Sequence, residues 1–133
     1  MAEAMKREAR KFGRVEADDV PALGAEFWTP GRKVSGQIVG WRTVKSERAG
    51  QFVETTLYRL STSGVTVGGE EVEEVEIGGL TGWRMALEKQ KAENNFDRLQ
   101  KGDVITLECL HVNEPKQPGH SPSPRFALEI VRP

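Results

Sequence analysis

One cysteine, two histidines and one tyrosine are all that this 133-residue chain offers of those types, and its apolar runs are short. A single Cys109 excludes an internal disulfide and any cysteine-rich zinc site, which fits a reducing compartment. His111 and His120 stand at no metal-ligand spacing from each other or from the cysteine, so no metal is expected. The runs are too short to span a bilayer, and the basic start MAEAMKREARKFGR has no apolar stretch after it, so neither a membrane anchor nor a secretory signal is expected. There is no GxSxG, no HExxH and no phosphate-binding loop; Gly78-Gly79-Leu80-Thr81-Gly82 lacks the lysine that would follow. Catalysis and cofactors are therefore not expected, and a cytoplasmic binding protein is.

Charge is present in both signs and is segregated. The net charge is −1, yet residues 1–14 carry +3, residues 15–31 carry −4 and residues 32–59 carry +4. Glu70, Glu71, Glu73, Glu74 and Glu76 then follow with no base among them. Locally, the pattern leaves room for a polyanion along residues 32–59. The acidic run lacks the spaced grammar of a calcium loop and reads as a solvated strand that discourages edge pairing.

Punctuation by glycine and proline divides the chain. Val20-Pro21-Ala22-Leu23-Gly24 interrupts any helix, so residues 1–26 are expected to form a flexible basic arm and residues 27–133 one domain. Phe27-Trp28-Thr29-Pro30-Gly31 turns the chain into the domain, its aromatics plugging one end. A first strand is expected over Lys33–Ser46, bent at its glycines, with Val34, Ile38, Arg42 and Val44 on one parity and Trp41 and Lys45 on the other. A second follows over Phe52–Ser61, where periodicity does not decide which face is buried. Ser61–Glu70 reads as a flexible loop with room for a short hairpin, and Glu71–Ile77 as a short acidic third strand, with Glu74 and Glu76 outward.

Thr81 is expected to cap a helix from about Gly82 to Gln100 that breaks near Asn94-Asn95. Lys101-Gly102 ends it and leads into Asp103–Val112, the most β-like stretch, with Cys109 inert within it. A proline-rich loop and a last strand over Arg125–Arg132 complete the chain. Three strands, a helix and two strands give the fold class: all-β with one helix, a five-stranded OB-like β-barrel with its helix between strands 3 and 4.

The same stretches, FWTPG, KVSGQIVGWRT, TGWRMALEKQ, KGDVITLECL and RFALEIVR, resemble small OB-fold proteins of phages and mobile elements that look like single-stranded DNA-binding proteins. The likeness covers residues 27–132 and is one of spacing; the acidic third strand and the proline-rich last loop depart from it. It implies single-stranded DNA as ligand, with Trp41, Lys45 and Tyr58 on the binding strands, Arg48 in the loop joining them, and Lys116 and His120 in the last long loop. Bases would stack on Trp41 and Tyr58 while Arg42, Lys45, Arg48 and Arg59 follow the phosphates. The expected role is non-catalytic, in DNA replication, recombination or repair, with protein partners from that machinery and homo-oligomerisation left open. The alternative is a protein-interaction or assembly module on the same scaffold.

Overall fold

The computed structural model describes residues 20–133, the side chain of Arg48 excepted. Five strands and one helix follow in the expected order: β1 (Lys33–Arg48), β2 (Gln51–Val67), β3 (Glu70–Ile77), α1 (Thr81–Asn94), β4 (Val104–Asn113) and β5 (Ser123–Val131). They form one antiparallel sheet in the order β3-β2-β1-β4-β5. β1 is central, and its two ladders overlap only at Gly36 and Gln37. Its first part, Lys33–Gln37, pairs with β4, and that ladder ends with Ile38 bonded to Gly102 and Asp103. Its second part, Gly40–Arg48, pairs with β2 alone. Beyond the sheet, β1 and β2 thus continue as a two-stranded ribbon closed by the Ala49-Gly50 turn.

A bulge sits at the junction. Ile38 faces Leu60 and Gly40 faces Arg59, so Val39 is the extra residue. One inserted residue exchanges the two faces of everything after it. Val34 and Ile38 point into the core, and beyond the bulge Trp41 and Lys45 take that side while Arg42 and Val44 turn outward. The parity expected for β1 therefore holds only as far as Ile38.

β2 is longer than expected. Thr62–Val67 is strand, not loop, because Gly68 and Gly69 both adopt positive φ and make a two-residue hairpin turn directly into β3. β3 and β5 are the sheet edges, and among the described residues no ladder joins them, so the sheet is open where a barrel was expected. The free side of β3 is occupied by the chain itself. Ala22 makes a parallel bridge to Glu76, with Glu76 N–H donating to Pro21 O and Leu23 N–H to Glu76 O, each at 2.9 Å. Leu23 is buried, so the domain begins before Phe27, and residues 20–26 are not part of an arm. The rest of the expected arm, residues 1–19, lies outside the described residues.

The core lies on the inner face of the sheet. Val34, Ile38, Leu60, Val75, Ile77, Ile105, Leu107 and Cys109 are buried there, joined by Leu99 and by Trp83 and Leu87 of α1. Trp28 closes one end, edge-on to Phe27 at 5.0 Å and to Phe126 at 4.8 Å. α1 is built from good helix formers and packs on β5 through a face narrow enough to put Gly82 directly against Pro124 O. Leu80, not Thr81, is its N-cap. The helix ends at Asn94, capped by Asn95, whose φ of 57° is left-handed; the expected break is thus the helix end, and residues 96–100, expected to continue it, are not helical. Among the described residues no helix is long and apolar enough to cross a membrane.

Below α1 the turn into β4 is fixed by one carboxylate. Asp103, buried, accepts from Arg132 Nε at 2.9 Å, Arg132 Nη2 at 3.0 Å and the Gln100 amide at 2.8 Å. The Arg132 hydrogen bonds hold its pKa below the ordinary aspartate value, against the opposing effect of burial. Arg132 also lies over the Phe96 ring, 5.2 Å from its centroid, so the last strand is tied to the helix exit.

Candidate functional site

Four of the eight residues expected to bind DNA, Trp41, Arg42, Tyr58 and Arg59, gather where β1 leaves β4, but on two different faces. Trp41 and Tyr58 are directly opposite each other in the β1–β2 ladder, ring centroids 6.1 Å apart. They differ in access. Trp41 is 43% exposed, whereas Tyr58 is 7% exposed, held between Trp41 and Trp83 with the latter ring 6.2 Å away. Tyr58 therefore belongs to the core edge and presents no free ring for stacking. Burial raises its phenol pKa, with Lys91 and Arg98 opposing the rise.

Arg42 and Arg59 point to the outer face, Arg42 because the bulge has exchanged the sides of β1 and Arg59 because its neighbours on β2, Tyr58 and Leu60, face inward. There they meet the carboxylates of β3. Arg42 forks onto Glu76 through Nε–Oε2 at 2.8 Å and Nη2–Oε1 at 2.9 Å, with the Glu76 side chain 4% exposed. Glu76, expected outward and solvated, is outward and covered, by Arg42 on one side and Pro21–Leu23 on the other. Arg42's hydrogen bonds pull its pKa down, and burial opposes them. Arg59 lies 3.7 Å from Glu74, a loose pair with both side chains nearly half exposed. Val39, Gly40, Trp41, Arg42, Arg59, Glu74 and Glu76 together line an open cleft of about 470 Å³.

Lys45 is on the ribbon's inner face, exposed and 3.8 Å from Glu54, its cross-strand neighbour. At that separation and exposure the pair is worth little and is easily exchanged. Arg48 ends β1, and its side chain lies outside the described residues. Lys116 and His120 are exposed in the β4–β5 loop. That loop follows the end of β4 that lies towards the start of β1, opposite the ribbon, and His120 borders a separate hollow with Glu26, Leu80 and Thr81. The structure does not bring these two to Trp41.

One residue missing from the sequence reading is Phe52. It shares the ribbon face of Trp41 and Lys45, and at 77% exposed it is the most open large apolar side chain described. It lies six positions along the strand from Tyr58, a span of about 20 Å. The hint was present, since the periodicity of β2 left open the face that groups Phe52 with Tyr58 and Leu60. Cys109 is buried and its thiol pKa is raised by that burial, which keeps it inert. Among the described residues no three His, Cys, Asp or Glu side chains gather as a metal cluster. Compared with known protein families, with curated proteins and with solved structures, the chain matches none.

Proposed function

We propose that the chain is a non-catalytic single-stranded DNA-binding module of OB-like architecture, serving replication, recombination or repair. The strand order β3-β2-β1-β4-β5 with a helix between β3 and β4 fits a five-stranded, partly open barrel of that kind. The observation that carries the reading is Trp41: half exposed, it stands at the rim of the Arg42 and Arg59 cleft and at the base of the ribbon face that leads past Lys45 to Phe52. Exposed aromatic rings with a cation between them suit unpaired bases, since every base presents a π-face. The contribution of phosphate contacts is small here, because Arg42, Arg59 and Lys45 all have carboxylate neighbours.

Trp28 and Trp83 are buried, so Trp41 is the indole that a ligand can quench. Titration with oligo-dT at low salt should quench its emission, and Trp41→Ala should weaken binding roughly tenfold or more, as expected for one stacked base. With about two phosphates neutralised, log K against log salt should have a slope of about −1.4. A folded protein that shows no quenching or binding at low salt refutes the proposal.

The satisfied Arg42 and the openness of Phe52 favour a second reading, a protein-interaction module whose ribbon tip inserts into a partner. Under it, Phe52→Ser would abolish partner capture while oligonucleotides bind neither form.

A further inference from the structure

The cleft on the outer face holds two cations and two carboxylates, so it offers a bare phosphate nothing over water. It suits a neutral, planar group rich in donors and acceptors. Its two ion pairs also differ in kind. Arg42–Glu76 is saturated and stiff: both carboxylate oxygens are bonded, and Glu76 is nine-tenths buried. That pair is a wall. Arg59–Glu74, at 3.7 Å, is wider than a hydrogen bond, and both side chains reach solvent. Among the described residues its donors and acceptors make no hydrogen bond, and they lie side by side at the cleft.

Resting on the single-strand reading, we infer that Arg59 and Glu74 read the edge of one unstacked base and prefer guanine. The Watson–Crick edge of guanine sets an acceptor, O6, beside two parallel donors, N1–H and N2–H. A guanidinium beside a carboxylate is its complement: Arg59 donates to O6 and Glu74 accepts both N–H groups. Thymine offers the carboxylate one N–H, and adenine and cytosine each offer one amino group, so only guanine uses both oxygens. In single strands these edges are free to be read in this way. Arg42 keeps Glu76 occupied, which leaves Glu74 as the carboxylate available to the base.

The test compares oligo-dT with the same oligonucleotide carrying one central dG, dA or dC, followed by Trp41 emission. The dG oligonucleotide should bind about tenfold tighter than the others, in the range of one well-made base contact. Glu74→Gln keeps one acceptor oxygen and should remove that preference, bringing the affinities for the four oligonucleotides within about twofold of one another; Arg59→Ala should reduce it too. Both side chains are exposed enough for the variants to fold, which a melting curve checks. Equal affinity for all four, with oligo-dT bound, overturns the guanine inference and leaves the DNA reading standing. A preference that survives Glu74→Gln overturns the assignment to this pair. Binding of no oligonucleotide overturns both.

Discussion

Replacing Arg132 by alanine removes two of the three hydrogen bonds to a carboxylate that is 1% exposed. Only the Gln100 amide remains for Asp103. Breaking a buried pair from one side costs about 3–5 kcal/mol, and the Arg132 side chain, 38% exposed, brings the figure to the lower end, about 3 kcal/mol at pH 7. For a domain of this size that is a fall of roughly 10 °C in Tm. The pH dependence is the sharper test. In the parent, Asp103 has a folded-state pKa below its ordinary 3.8, so its stabilisation is complete above about pH 4 and is lost as pH falls through the folded value. In Arg132→Ala only the Gln100 amide still opposes burial, so that pKa rises, and the variant is penalised at neutral pH and relieved in acid. Urea titrations at pH 7 and pH 3 should show the gap between the two proteins closing on acidification. A gap under about 1 kcal/mol at pH 7, or one equal at both pH values, would refute the assignment of Asp103 and Arg132 as the clasp of the last strand.

Three further outcomes follow from local geometry. Gly82→Ala should destabilise by about 1–2 kcal/mol in urea, although alanine is the better helix former, because its Cβ would meet the backbone oxygen of Pro124. Ala49 sits at φ 51° in the ribbon turn, a conformation costly for alanine, so Ala49→Asn should raise the urea midpoint by the equivalent of about 0.5 kcal/mol with an unchanged m-value. Cys109 should react with a disulfide reagent at pH 8 only as fast as the protein unfolds, and at once in denaturant; prompt reaction of the native protein would contradict its burial.

What the sequence made legible was set by local chemistry. The helix break at Asn94-Asn95, the strand from Asp103 onward and the plug at Trp28 each follow from residues within a few positions. What was not legible depends on partners far along the chain. The bulge at Val39 has only Gly40 as a local mark, yet it decides which side Trp41 and Arg42 take. Burial of Glu76 required Arg42 from β1 and Pro21–Leu23 from the start of the domain to converge on one residue of β3. A run of five glutamates reads as solvated unless those partners are known. Tyr58 was misplaced as a free platform because the side of β2 that α1 covers is fixed by Trp83, on another element.

The divided partnership of β1 also orders the folding of the chain in time. Its second part meets β2 across a two-residue turn, while Ser35, in its first part, meets β4 seventy residues away. Closing the longer loop costs about 3 kcal/mol more in chain entropy. The ribbon can therefore zip within microseconds, as hairpins do, whereas the β1–β4 ladder must wait for β3, α1 and the Asp103 turn. One continuous strand is thus completed in two stages, and Val39 marks the boundary between the early half and the late one.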